Sequence, residues 1–425
     1  MKNAPPVWLS WAMWGLVMGL YFIGFFQRMA PAVMAEDLMR DFKLGGALLG
    51  NLSAMYFYSY ALMQIPSGLL ADRLGSRRLA GGACAVAACG IIIFSLGTSI
   101  WFAYAGRLLI GASVAVAWVT CMKLAGHWFP PNRFATVTGV GLVVGNLGGV
   151  LAGVPLSEAV SLFGWRVSMG ASGVLTFAVA LVIWLAVRDD PQEYGYRSYA
   201  HSSVLKNGNL PAGAALRSVM LNRQTWLLFF AGGLTAAPVL TFAGLWGVPY
   251  LTQVHLLDRT AAATITSTML IAWAVGGPVL GGISDRLGRR KLPYLVSSFF
   301  AALFWGVFLF AELPYLLLYP LVALIGFSSA GLIIGFAFAR EVNHPGATGA
   351  VGGFVNMSVL GIAAIMQPVL GSILDRGWEG AMVNGARVYS ESAYLSAFSW
   401  LLVSTVLAVI MVLFTTESFC RIRED

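Results

Sequence analysis

Apolar stretches long enough to cross a lipid bilayer recur along the whole chain. A helix that crosses the hydrocarbon core needs about 20 predominantly apolar residues. Twelve stretches qualify, and we number them as spans 1 to 12: 9–33, 47–70, 79–97, 100–126, 134–158, 165–187, 224–250, 261–283, 291–311, 314–339, 348–373 and 392–415. Lipid offers backbone N–H and C=O groups no water partner, so each span must satisfy them internally as a helix. The sequence therefore predicts an all-α membrane protein with twelve transmembrane helices.

The composition excludes a water-soluble chain. Of 425 residues, 58% are hydrophobic and 10% are charged, whereas soluble domains carry about 25% charged residues. Span 1 continues into further apolar sequence without a small-residue cleavage site, so we expect it to be retained. The four cysteines and four histidines are scattered, without a C-x-x-C pair. We therefore predict no metal site, no cofactor and no disulfide framework, and we expect no enzymatic activity.

The positive charges are distributed unevenly between the two sides of the predicted bundle. Net charge is +8, with 26 lysines and arginines. If both termini lie on one side, most of these residues fall on that side, as the positive-inside rule requires of the cytoplasmic face. We therefore expect a multi-pass protein of the cell inner membrane with both termini cytoplasmic. The basic charge is accounted for by topology, and no nucleic-acid partner is predicted.

A repeated loop sequence divides the chain into two halves. The segment from Gly68 to Arg78 reads GLLADRLGSRR, and the segment from Gly281 to Lys291 reads GGISDRLGRRK. The two copies are 213 positions apart, and the longest polar stretch lies between spans 6 and 7. We predict a first six-helix bundle at 1–187, a cytoplasmic linker at 188–223 and a second six-helix bundle at 224–425.

The repeated loop resembles the signature motif of the major facilitator superfamily, G-x-x-x-D-R-x-G-x-R-R. This resemblance covers the whole chain and implies two six-helix bundles that move against each other. In the family such loops close one side of the protein, which implies a gating role for both copies; plain anchoring by positive charge is the alternative. The implied gating residues are Gly68, Asp72, Arg73, Gly75, Arg77, Arg78, Asp285, Arg286, Gly288, Arg289 and Arg290.

Two further segments are similar to the branches of this family that carry organic anions and organophosphates. They are Tyr60 to Gly68 in span 2 and Asp190 to Gly195 after span 6. The resemblance implies a secondary transporter of a small organic anion or zwitterion. An amino-acid or peptide carrier, a drug exporter and a membrane sensor are the alternatives. Gly145-Asn146 in span 5 departs from the Gly-Pro pair of the family's drug antiporters, which disfavours drug export.

Arg28 in span 1 and Arg107 in span 4 are charges within apolar spans. Such charges are costly in a membrane and are usually functional or paired. Arg28 shares a helix face with Tyr21 and Phe25, and its position resembles the anion site of the organophosphate branch. Arg28 could instead reach the headgroups, or pair with Glu36 or Asp37.

The other candidates follow from helical spacing and from the repeat. Span 2 carries a polar stripe on one face, Arg107 and Trp118 share a face of span 4, and the 213-residue offset places Thr241 opposite Arg28. The predicted solute-binding residues are Arg28, Tyr56, Tyr60, Gln64, Arg107, Trp118, Asn146, Thr241, Trp246, Asn356 and Gln367. A single arginine in the cavity favours a monoanion such as a carboxylate over a phosphate dianion.

The coupling of transport stays open at this point. Glu36, Asp37, Glu158 and Glu341 lie near span ends, and no carboxylate lies securely at mid-membrane. Proton-coupled relatives usually bury one, so coupling to a proton, to a counter-anion or to neither is possible. The expected partners are a small-molecule solute and membrane lipids, and we expect a monomer.

Overall fold

A computed structural model of the protein describes residues 3–199 and 212–421. The side chain of Asp72, one of the predicted gating residues, lies outside the described part. The helices of the first half are Val7–Met29, Ala30–Ala32 (3₁₀), Ala35–Phe42, Gly46–Leu96, Ile100–Val114, Ala117–Trp128, Pro131–Arg133 (3₁₀), Phe134–Leu151, Val154–Phe163 and Trp165–Ala186. The predicted linker contains a 3₁₀ turn at Pro191–Tyr194 and a helix at Ala212–Leu221.

The second half follows the same plan. Its helices are Arg223–Thr241, Phe242–Trp246 (π), Gly247–Gln253, Arg259–Leu287, Lys291–Phe310, Tyr315–Ser329, Leu332–Glu341, Pro345–Ala347 (3₁₀), Thr348–Arg376 and Glu391–Leu413. A short antiparallel hairpin joins spans 11 and 12, with strands Met382–Val383 and Ala386–Arg387.

The twelve-helix architecture is confirmed. Eleven described segments are long and apolar enough to cross a bilayer. The twelfth helix is residues 46–74, because the long helical stretch Gly46–Leu96 is interrupted at Gly75, which has φ 77° and ψ 167°. Glycine reaches positive φ at little cost, so the motif glycine separates span 2 from span 3. The boundaries predicted for the two halves and the linker stay predictions.

Five spans are interrupted along their length, and one of them is span 5, which breaks between Leu151 and Val154. Span 4 breaks between Val114 and Ala117, and span 10 breaks between Ser329 and Leu332, about two residues beyond the position that the 213-residue offset of the repeat would give. Span 1 ends in a 3₁₀ turn, and span 7 contains the π segment Phe242–Trp246 a few residues after Pro238. Proline and π turns disturb the regular hydrogen bonding of a helix, which explains the irregularity of span 7.

The two halves meet along three pairs of spans. Span 2 packs along span 11, span 5 packs against span 8, and the end of span 1 packs against the π segment of span 7. The first of these contacts is very close, because a β-carbon placed on Gly50 would lie 2.5 Å from the main-chain oxygen of Gln367. Small residues permit such close approach between membrane helices.

Candidate functional site

Arg28 lies near the end of span 1 against three aromatic rings. Its side chain is buried, with the residue 7% exposed. The guanidinium carbon is 4.4 Å from the ring centre of Phe25, 5.3 Å from that of Tyr60 and 5.7 Å from that of Tyr56. These distances are within the range of cation–π attraction. Among the described residues, Nε of Arg28 has no hydrogen-bond partner.

The two acids considered as partners of Arg28 are engaged elsewhere. Asp37 forms ion pairs of 2.9 Å with both Arg40 and Arg259. Glu36 accepts a hydrogen bond of 3.1 Å from the hydroxyl of Thr252. Within the described part of the chain, Arg28 therefore has no ion-pair partner. A buried charge without a counter-ion is costly in a membrane, and an incoming anion would neutralise it.

Arg107 is tied to the main chain of two other spans. It is 1% exposed, and its two terminal nitrogens donate to the carbonyl oxygen of Gln27 at 2.6 Å and to that of Ser53 at 3.2 Å. The Gln27 carbonyl belongs to the peptide bond that precedes Arg28. Arg107 thus fixes the backbone that carries Arg28 through both terminal nitrogens, while its Nε has no hydrogen-bond partner among the described residues.

An aromatic cage extends from Arg28 along spans 1, 2 and 4. We define this cage as Tyr21, Phe25, Tyr56, Tyr60 and Trp118. The ring of Tyr56 also lies 5.1 Å from the guanidinium carbon of Arg107, and its hydroxyl donates to the Gly24 carbonyl at 2.8 Å. Tyr56 stacks on Tyr60 at 5.9 Å, Tyr21 contacts Phe25 at 4.9 Å, and Tyr21 contacts Trp118 at 5.1 Å.

The amide residues predicted for the site have different surroundings. Asn356 donates a hydrogen bond of 3.1 Å to Gln64, which joins span 11 to span 2. Asn146 donates to the carbonyl of Leu142 in its own helix at 2.8 Å. All three amides are half-buried. Gln64 and Asn356 are therefore brought together across the two halves, whereas the amide nitrogen of Asn146 is held within span 5.

The predicted residues of the second half lie in the helix contact beside Arg28. Thr241, Trp246 and Gln367 are fully buried. Trp246 donates to the main-chain oxygen of Gln367 at 3.1 Å. A β-carbon placed on Gly244 of the π segment would lie 3.7 Å from Nε2 of Gln367 and 3.9 Å from the main-chain oxygen of Arg28. These residues therefore form part of the contact between spans 1, 7 and 11.

The first copy of the repeated loop is bound to the end of span 6. Arg77 donates its main-chain N–H to Asp189 at 2.7 Å and its Nε to the carbonyl of Trp184 at 2.9 Å. Gly68 and Gly75 are partly buried, while Arg73 and Arg78 are exposed. The loop therefore joins spans 2, 3 and 6 of the same half.

The second copy makes the corresponding contact with the segment after span 12. Arg290 donates its main-chain N–H to Glu417 at 2.8 Å, and its side chain pairs with Asp285 at 2.6 Å and with Glu341 at 2.8 Å. Gly288 has φ 61°. Arg286 and Arg289 are exposed. Both copies thus use a carboxylate beyond the last span of their half.

Carboxylates connect the two halves on the face opposite the chain termini. Asp375, at the end of span 11, accepts hydrogen bonds from the main-chain N–H groups of Gly46 at 2.7 Å and Ala47 at 2.9 Å, at the start of span 2. It also accepts from Arg387 at 2.9 Å and from the hydroxyl of Tyr389 at 2.8 Å.

Three further contacts join the two halves on this face. They are the Asp37–Arg259 ion pair at 2.9 Å, the hydrogen bond from Thr252 to Glu36 at 3.1 Å, and the hydrogen bond from Thr260 to Glu158 at 2.7 Å. This face is therefore closed by contacts between the halves. The role of Asp375 was missed from the sequence, since its partners are main-chain groups.

Comparison with known proteins assigns the family. The model of the Major Facilitator Superfamily matches residues 17–368. The chain belongs to the Major Facilitator Superfamily. Its fold is similar to a solved bacterial homolog of the human lysosomal transporter Spinster in an inward-facing, unoccupied conformation, with a TM-score of 0.75, 18% identity and 96% of each chain covered. The protein is thus a multi-pass membrane protein of a family of transporters, which are not enzymes.

Curated relatives cover most of the chain. The membrane sensor protein UhpC of Escherichia coli K12 is 26% identical over 396 residues, covering 89% of this chain and 88% of the relative. The hexuronate transporter of Bacillus subtilis is 26% identical over 399 residues, covering 88% and 91%. The superfamily protein described here is therefore similar both to a sensor and to a transporter of an organic anion.

Proposed function

We propose that this protein is a secondary transporter that carries a small carboxylate-bearing organic anion by alternating access between its two bundles. The observation that carries the proposal is Arg28, a buried guanidinium without an ion-pair partner among the described residues. Its main chain also adjoins the π segment of the other half, so a solute held there would contact the interface that rearranges during transport.

Of Arg28 and Arg107, Arg28 is the guanidinium without main-chain hydrogen bonds among the described residues, and one such guanidinium suits a monoanion. The terminal nitrogens of Arg107 bind the carbonyls of Gln27 and Ser53, so we assign Arg107 to positioning Arg28. The hexuronate transporter among the relatives supports an organic anion as the solute. Arginine can bind a carboxylate through two parallel hydrogen bonds, which lysine cannot reproduce.

The distribution of basic residues supports an orientation with both termini cytoplasmic in a cell inner membrane. In that orientation the face closed by Asp375 is the outer face. Transport would then require the outer carboxylate contacts to separate while the solute neutralises Arg28. Reporter fusions at Asp425 and in the 200–211 segment should both give a cytoplasmic signal, and a periplasmic signal from either would overturn this topology.

Solute binding and counterflow test the function directly. Purified protein in proteoliposomes should exchange a carboxylate solute, and Arg28→Ala should abolish binding, while Arg28→Lys should weaken it. The matched control is Lys43→Gln, which removes an exposed cation near the face that Asp375 closes. Unchanged affinity in a folded Arg28→Ala variant, checked by size exclusion, would refute the direct contact.

The similarity to UhpC makes a membrane sensor the second candidate. A sensor would bind the solute at Arg28 without carrying it. Arg28-dependent binding together with zero counterflow would therefore favour sensing. An amino-acid or peptide carrier would bind the carboxylate of its solute at Arg28 in the same way. It would be distinguished by which solutes bind, because amino acids or peptides would then bind more tightly than other carboxylates.

A further inference from the structure

We propose that the solute is a monocarboxylate attached to a flat aromatic or unsaturated ring, rather than a polyhydroxylated sugar acid. This inference rests on the proposed transport function and specifies the solute class of the same site. It departs from the hexuronate that one relative is named for.

The first observation is the makeup of the surface around the cation. Three of the five rings of the aromatic cage lie within 5.7 Å of the guanidinium carbon of Arg28. The other two, Tyr21 and Trp118, extend the cage from Phe25. Rings cover the faces of a guanidinium and leave its N–H edge for a carboxylate. An anion bound at that edge therefore has aromatic surface beside it.

The second observation is which rings remain accessible. Phe25 and Trp118 are partly exposed, whereas Tyr21, Tyr56 and Tyr60 are buried. Phe25 and Trp118 both contact Tyr21 and keep part of their ring surface exposed. Aromatic rings attract other flat rings in offset or edge-to-face geometry. A solute with a ring next to its carboxylate would bury apolar surface that a short aliphatic acid such as acetate lacks.

The third observation is the limited supply of hydrogen-bonding groups that are both unpaired and accessible to a solute. A sugar acid carries a hydroxyl on nearly every carbon, and each one that is desolvated needs a partner. Gln64 and Asn356 bond to each other, and the Asn146 amide bonds to its own helix. Oγ1 of Thr241 and Oε1 of Gln367 have no hydrogen-bond partner among the described residues, but both residues are fully buried in the helix contact, where a solute does not reach them in this conformation. The arrangement thus suits few hydroxyl substituents.

The tyrosine hydroxyls allow one or two polar substituents. That of Tyr56 is used by the Gly24 carbonyl. Those of Tyr21 and Tyr60 make no hydrogen bond with the described residues, and each could bond one oxygen of the solute. The charged groups of the opposite face are engaged with one another, as with Asp37 and Arg259. The cage therefore matches a ring with a carboxylate and at most a few hydroxyls.

A ligand panel on the unmodified protein tests the inference. Binding by calorimetry and competition in counterflow would be measured for benzoate, 4-hydroxybenzoate, acetate, galacturonate and the neutral amide benzamide. We expect the two aromatic carboxylates to bind roughly tenfold more tightly than acetate or galacturonate, as one ring–ring contact permits. Benzamide should not bind, since it lacks the charge that Arg28 requires.

Variants of the aromatic cage provide a second test of the inference. Phe25→Leu and Trp118→Leu should each weaken 4-hydroxybenzoate binding about tenfold. Trp8→Leu, which alters an exposed ring at the start of the helix Val7–Met29, should not change it. Tighter Arg28-dependent binding of galacturonate or acetate would overturn the aromatic class and leave the transport proposal standing. Absence of Arg28-dependent binding for every acid would instead remove the proposed function itself.

Discussion

Asp375 is expected to control the closure of the face opposite the termini. It bonds across the two halves to the first two main-chain N–H groups of span 2, and its side chain is 23% exposed. The start of a helix carries a partial positive charge and unsatisfied N–H groups. A carboxylate from the other half therefore caps span 2 only while this face is closed.

The magnitude follows from the bonds that opening would break. Loss of a helix cap costs about 0.5–2 kcal/mol, and a favourable charge at a helix start adds about 0.3–1 kcal/mol. The bonds to Arg387 and Tyr389 lie within one half and persist on opening. We expect Asp375→Ala to shift the equilibrium toward the open state by about 1–3 kcal/mol, or roughly 5–150-fold. Asp375→Asn should shift it less, because the amide oxygen still accepts.

Distance measurement between spin labels would test this shift. Labels at Lys43→Cys and Glu379→Cys, both exposed on this face, would be introduced after replacing the four native cysteines. The longer-distance population should grow in Asp375→Ala, and Glu312→Gln, which alters another exposed acid, should leave the distribution unchanged. An unaltered distribution in a folded Asp375→Ala protein would show that the cap does not hold the closed state.

Three further outcomes are expected. In Arg107→Lys a single ammonium group cannot reproduce the two hydrogen bonds that the planar guanidinium donates to two carbonyls. The affinity for the solute should therefore fall although Arg28 is intact, and an unchanged affinity would argue against a role of Arg107 in positioning Arg28. Gln64→Ala and Asn356→Ala should each favour opening of the face that carries the chain termini. In a double-mutant cycle measured by label distances, the two effects should differ from additivity by a coupling free energy of about 0.5–1.5 kcal/mol. Strict additivity would show that the hydrogen bond between Gln64 and Asn356 does not stabilise the closed state.

Partial burial raises the pKa of Asp190, but hydrogen bonds from a main-chain N–H and from His127 outweigh it and hold that pKa below its usual value. The resulting stability is present above the unfolded pKa of about 3.9 and is lost as pH falls through the folded pKa. Thermal denaturation of Asp190→Asn should therefore depend less on acid pH, and an unchanged profile would contradict this.

The helices could be predicted because lipid leaves few alternatives. Apolar length alone located the spans. Gly75 and Gly288, which the resemblance implied as gating residues, lie where the repeated loops turn. Helical phase was less informative where a span is interrupted. Arg107 and Trp118 were placed on one face by assuming an unbroken span 4, but the break at Val114–Ala117 lies between them, so spacing alone does not relate their directions.

The site was only partly accessible to sequence reasoning. Arg28 was identifiable because a charge inside an apolar span has few structural explanations. The cap formed by Asp375 was not, because its partners at the start of span 2 are main-chain groups 329 positions away. Thr241 followed from the repeat offset, yet the repeat cannot indicate whether a side chain faces a solute or another helix, and it is fully buried.

The interruptions of spans 4 and 10 have a mechanical consequence. An uninterrupted helix transmits a tilt along its whole length, whereas a helix in two pieces can pivot at the joint. The two helices of span 4 carry different residues of the candidate site, since Arg107 precedes the break and Trp118 follows it. The segment that fixes Arg28 can therefore stay still while the segment that carries Trp118 moves. If these residues contact the solute as proposed, its charge and its ring can be bound or released at different moments of one cycle.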